Sequence, residues 1–175
     1  QDVTLQYSVI TNGTRLNASL ADYLASHRFQ VTLSIDGPPE VQNQNRPTRG
    51  GGASSPEVLR GLKELLRVRE GLQSLHANAV MGSHHLDVVA TYSFLRTFDF
   101  DLYNFGFAAG AEDAQTSPLY LREMARLADQ VYRQEGLTAL SRIQPFGRLI
   151  GILDSGVPIQ NFCGAGKSFI HTDTN

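Results

Sequence analysis

The stretch Val31 to Leu66 reads "VTLSIDGPPEVQNQNRPTRGGGASSPEVLRGLKELL". An apolar, β-branched run ends in Ser34-Ile35-Asp36-Gly37-Pro38, where glycine and proline stop a strand. A polar loop follows, carrying Arg46-Pro47 and then Gly50-Gly51-Gly52. Ser55 and Pro56 read as the cap and first position of a helix. Leu59, Leu62, Leu65 and Leu66 form its inward face, and it ends near Glu70-Gly71. The stretch is therefore a strand, a polar mouth and a returning helix. A hydroxyl, a carboxylate and a guanidinium stand together at that mouth.

The same alternation extends in both directions. "LQYSVITNGT" (residues 5–14) is β-rich and stops at Asn12-Gly13. "NASLADYLASH" (17–27) predicts a helix capped by Asn17, with Leu20, Tyr23, Leu24 and His27 on one face. Further strands are expected over 72–81 and 102–108. Helices are expected over 83–98, with Leu86, Val89, Ala90 and Phe94 aligned, from Ser117-Pro118 to Gly136, and over about 141–154. Four strands alternating with helices predict an α/β fold with a parallel sheet. An open doubly wound sheet and a piece of a barrel give the same pattern. In either, the functional edge is the one where strands end. That edge carries Thr11-Asn12-Gly13, Ser34-Ile35-Asp36-Gly37, Asn78 and Asn104-Phe105-Gly106.

Composition narrows the classes. With 175 residues, 41% hydrophobic and 18% charged, the chain is long enough for one real core. A net charge of -2 gives no electrostatic case for nucleic acid. No apolar run is long enough to span a membrane. The single cysteine, Cys163, forms no internal disulfide and fits a cytoplasmic location. The Gly-Lys-Ser at Gly166 to Ser168 precedes no helix, which argues against a phosphate loop. His84-His85 are adjacent on a helix start and diverge by roughly 100°, so they read as solvated or capping residues. His76 alternates with apolar neighbours and reads as packed. Asp36-Gly37-Pro38 reads as a turn in which Asp36 caps its own loop. Glu112-Asp113 reads as loop.

The ordered motifs resemble those of radical S-adenosylmethionine (SAM) enzymes, and more narrowly the anaerobic sulfatase-maturase and SPASM peptide-maturase group. Thr11-Asn12-Gly13 ends one strand. Ser34-Ile35-Asp36-Gly37-Pro38 ends the next, with Arg46 downstream, then a glycine-rich turn and a helix. "FCGAGKSFIHTDTN" (162–175) resembles the opening of that group's auxiliary-cluster domain. The resemblance implies a fragment of a partial (β/α)6 TIM-like barrel over 1–155, strands three to six, and the start of a SPASM-like region over 156–175. Two further βα units would precede it.

It also implies cofactors. Asn12, Ser34 and Arg46 fall at positions that contact SAM. A guanidinium fork suits its carboxylate, while a serine hydroxyl and an asparagine amide suit its ribose and amino-acid part. A surface ion pair is the competing assignment for Arg46. Cys163 would ligate an auxiliary [4Fe-4S] cluster in the full-length parent. Two departures stand out. The Cys-x-x-x-Cys-x-x-Cys loop for the catalytic [4Fe-4S] cluster is not in this sequence, and one thiolate cannot hold a cluster. The group's His-Asp pair reads Gln42-Asn43 here.

The expected function is therefore part of an iron–sulfur oxidoreductase that modifies a residue in a peptide or protein. By itself this chain is expected to carry no cluster and no activity, and to self-associate through its open edge. The alternatives are a cluster-free barrel-like module that binds a peptide or small ligand, and an unrelated α/β barrel enzyme.

Overall fold

A computed structural model describes residues 5–82, 85–108 and 115–157. The elements run β1 (Ser8–Thr11), α1 (Ala18–Ser26), β2 (Gln30–Ser34), α2 (Pro39–Asn45), α3 (Ser55–Arg67), β3 (Ser74–Met81), α4 (Val88–Leu95), β4 (Leu102–Phe107), α5 (Thr116–Ser141), β5 (Ile143–Gln144) and α6 (Phe146–Ser155). The five strands form one sheet in sequential order, and every neighbouring pair is parallel. The fold is thus the parallel α/β array that the alternation predicts, in the sequential strand order that the resemblance to a partial barrel implies. It has one strand more than expected. β5 is two residues long and pairs with Tyr103 and Asn104. Two residues carry no alternation, so no periodicity announces them.

Register separates two faces. Val31 and Leu33 pair with Leu75 and Ala77, and Ala77 and Ala79 pair with Tyr103 and Phe105. These side chains share one core with Leu24 of α1, Leu62 and Leu65 of α3, Tyr92 and Leu95 of α4, and Leu127 and Val131 of α5. The opposite face carries Ser34, Asn78, Asn104 and Gln144 in one transverse row across four strands. The helix-covered face is thus buried and apolar, while the strand ends on the other face carry a polar row.

Several expected boundaries shift, each for a local reason. α1 has its Asn17 cap as predicted, with Oδ1 accepting from Leu20 N–H at 2.9 Å. Its buried face is Ala21 and Leu24, whereas Leu20, Tyr23 and His27 are exposed. Of the expected face only Leu24 is buried, and Tyr23 and His27 lie against each other on the outside with ring centroids 4.3 Å apart. The polar segment read as loop contains α2, started by Pro39 with Glu40 in its first turn. α3 has Ser54, not Ser55, as its cap residue. α4 is shorter than expected and is capped by Asp87, whose Oδ1 accepts from Ala90 N–H. It buries Val88, Val89, Thr91, Tyr92 and Leu95, leaving Ala90 exposed. Gly136 interrupts α5 with φ +83°, where the helix was expected to close.

Candidate functional site

The strand ends of β1 and β2 meet the start of α3. After β1 the chain turns through Asn12-Gly13, and Asn12 Oδ1 accepts from Thr14 N–H at 3.2 Å and from its hydroxyl at 2.9 Å. Gly13 has φ +75°, and Gly61 of α3 lies against it so closely that a Cβ on Gly61 would sit 2.2 Å from the Gly13 carbonyl oxygen. Two glycines facing each other seat the Asn12 turn directly on the helix.

β2 ends at Ser34, which is 8% exposed and paired in register with Asn78. Asn104 Nδ2 donates to Asn78 Oδ1. Beyond Ser34, Asp36 is 2% exposed. It is not a simple turn residue. Its Oδ1 accepts from Val80 N–H of β3 at 3.0 Å, and its Oδ2 accepts from Arg46 Nε at 2.8 Å. Its own N–H donates to Gln42 Oε1 at 2.9 Å. The Gln42 amide donates onward to Ser54 Oγ at 3.3 Å. Asn43 Oδ1 accepts from the N–H groups of Ser54 and Ser55 at 2.9 and 2.8 Å, so α2 caps α3. Gln42 and Asn43 therefore have architectural work here. Sequence reasoning missed it because the partners lie about a dozen residues away.

The glycine-rich loop closes on Thr48. Gly51 N–H donates to the Thr48 carbonyl at 2.8 Å, and Gly52 N–H to its hydroxyl at 2.9 Å. Gly51 has φ +79°, which a side chain would disfavour. This tight turn returns the chain to α3, as the glycines predict.

Two clefts flank Arg46. A cleft of about 390 Å³ is lined by Asn12, Thr14, Arg46, Arg49, Ser54 and Glu57, among others. A cleft of about 340 Å³ on the other side is lined by Asp36, Arg46, Val80, Gly82 and Ala108, among others. Arg46 is the partition between them, 33% exposed. Glu57, in the first turn of α3, has a buried Oε2 without a hydrogen-bond partner among the described residues. So the first cleft offers two guanidiniums, an amide and an open acceptor, groups that suit a zwitterionic, hydroxyl-bearing ligand.

The expected site residues thus fall as follows. Asn12 and Arg46 line one cleft, while Ser34 is buried and lines neither. Cys163 lies outside the described residues, as do His84, Glu112, Asp113 and the 158–175 portion of the expected SPASM-like region. His85 shares a hydrogen bond with Thr91 Oγ1 at 2.9 Å. His76 is held below its ordinary pKa, first by burial, with Asp101 opposing and Arg69 adding to the shift. Among the described residues no group of three His, Cys, Asp or Glu side chains could hold a metal ion, and no helix is long and apolar enough to cross a membrane.

No family model matches the chain. In sequence it is 27% identical to a cysteine-type anaerobic sulfatase-maturating enzyme of Clostridium novyi (strain NT) over 105 residues, 60% of this chain and 28% of that protein. It is 41% identical to the same enzyme of Clostridium perfringens (strain 13 / Type A) over 46 residues, 26% of this chain and 12% of that protein. In fold it is similar to native anSMEcpe with bound AdoMet, with a TM-score of 0.73 at 21% identity, covering 86% of this chain and 43% of that one. Streptococcus suis SuiB bound to S-adenosylmethionine matches with a TM-score of 0.54 at 15% identity, covering 73% and 29%. The chain spans 28% of the length of the first of these relatives. The sequence relatives thus support the resemblance to the anaerobic sulfatase-maturase group that the ordered motifs carry, and the solved structures share its fold.

Proposed function

We propose that this chain is the SAM-holding part of a radical SAM iron–sulfur oxidoreductase that modifies a residue of a peptide or protein. The observation that carries the reading is Arg46, fixed by a buried carboxylate at the mouth of β2 and sharing a cleft with Asn12. Arg46 binds the SAM carboxylate, because a guanidinium held through Nε still presents its Nη edge. Asn12 orients the ligand by amide hydrogen bonds, while Ser34 lines neither cleft and belongs to the polar row at the strand ends. Glu57 accepts from a donor group of the ligand. When bound, SAM supplies the hydrogen-abstracting chemistry; these residues bind it, orient it and keep its polar groups paired.

The described residues do not fit a cluster, since they offer no set of three ligands. In this proposal the catalytic cluster is held by thiolates of the preceding βα units in the full-length protein, and Cys163 contributes to an auxiliary [4Fe-4S] cluster there. Ile10 of the edge strand β1 is 74% exposed, the surface such units would cover. A similar fold is seen in native anSMEcpe with a bound Kp18Cys peptide, which supports a peptide or protein substrate for this chain. Without the added units this chain is inactive alone and self-associates through that edge. Calorimetric titration with SAM tests the reading. Saturable binding that Arg46→Ala weakens by roughly ten- to more than a hundredfold is the expected result, and absence of binding to the reconstituted full-length protein refutes it.

A further inference from the structure

We infer that Asp36 is a positioning residue for ligand recognition, holding the Arg46 guanidinium so that its Nη edge faces the carboxylate of SAM. This rests on the proposed function and goes beyond it, because Asp36 itself touches no ligand there. Three features of the fold make Asp36 a fixed clamp. It is 2% exposed, so solvent cannot substitute for its partners. Its Oδ1 is tied to Val80 N–H at 3.0 Å, a backbone donor inside the sheet. Its own N–H is tied to Gln42 Oε1 at 2.9 Å, which anchors the turn to α2. The remaining oxygen, Oδ2, takes Arg46 Nε at 2.8 Å.

The consequence follows from guanidinium geometry. An arginine is a planar fork of five donors on a long, flexible stem. A bond through Nε occupies the lateral edge and restricts the swing of the guanidinium. The end-on pair of Nη groups is then the edge left for an anion. An unclamped arginine at 33% exposure would lose rotamer freedom on every binding event. Asp36 removes that cost in advance, which is preorganisation.

The test compares two ligands by calorimetry on the full-length protein. SAM carries the carboxylate; 5′-methylthioadenosine keeps the adenine and ribose and lacks it. Asp36→Asn retains an acceptor for Val80 N–H and removes the charge. We expect SAM affinity to fall about tenfold and 5′-methylthioadenosine affinity to stay within about twofold. Equal weakening of both ligands, or no weakening of either, overturns the inference and leaves the proposed function standing. Wild-type protein that binds neither ligand sinks both. If Asp36→Asn alone does not fold, Asp36→Asn with Arg46→Gln removes both charges together, so neither stays buried and unpaired. That double variant is expected to bind SAM within about twofold of Arg46→Gln alone. A further tenfold loss would show Asp36 acting other than through Arg46 and would overturn the inference.

Discussion

Replacing Arg46 by alanine perturbs two things at once, and the structure separates them. The guanidinium is one of two in the candidate cleft and also the counter-charge of a carboxylate that is 2% exposed. Losing a charge-assisted hydrogen bond to a ligand carboxylate costs about 1.5–3 kcal/mol, or roughly ten- to more than a hundredfold in affinity. Leaving Asp36 buried with one charged partner removed costs about 1–3 kcal/mol of folding stability, toward the low end because Arg46 is 33% exposed and water enters in its place. For a chain of this size, each kcal/mol lowers the midpoint by about 2–4 °C. Arg46→Gln is the companion: its amide can still donate to Asp36, so most of the stability returns while the charge for the ligand does not. The assays are thermal unfolding without ligand and calorimetric titration with SAM. An Arg46→Ala protein with unchanged melting and unchanged SAM affinity would refute both roles; loss of stability with full affinity would leave Arg46 as a structural ion pair only.

Other expectations follow from neighbouring contacts. Asn43→Ala deprives Ser54 and Ser55 N–H of their shared acceptor and should cost about 1–2 kcal/mol, read by denaturant unfolding. Gly61→Ala places a methyl 2.2 Å from the Gly13 carbonyl oxygen, so it should destabilise by about 1–3 kcal/mol and displace the Asn12 turn; full stability would contradict that packing. His76 has its folded pKa below the ordinary 6.5. The unfolded chain then binds the proton more readily, so stability rises with pH through this window and is lost as pH falls below 6.5. His76→Gln should flatten that acid-side slope in unfolding midpoints measured across the range, and an unchanged slope would place the dependence elsewhere.

Much of the architecture was legible because its causes are local. The helix cap at Asn17 and the apolar runs of β2, β3 and β4 depend on residues within a few positions of each other. So do the glycine stops that bring the polar loops to one edge. The parallel order follows from alternation, since a strand, a helix and another strand must return to the same edge. The site was legible only in part. Asn12, Ser34 and Arg46 could be named from their ordered motif, and two of them do share a cleft.

What the tertiary structure alone decided was who pairs with whom. Asp36 reads as a turn residue in a string of letters, because a carboxylate beside Gly37-Pro38 satisfies its own loop in most chains. Only the parallel register of β2 and β3 brings Val80 N–H to it, and only α2 swings Arg46 back across ten residues to meet it. In the same way, Gln42 and Asn43 look like solvated loop amides until α3 docks against α2. Of the expected α1 face Leu20, Tyr23, Leu24 and His27, only Leu24 is buried, and Ala21 joins it, because where the sheet lay set the rotation of the helix. Periodicity reports which residues could face a core. Hydrogen bonds between residues 10 to 44 positions apart exist only once the chain has closed, and the clamp at the candidate site is made of those bonds.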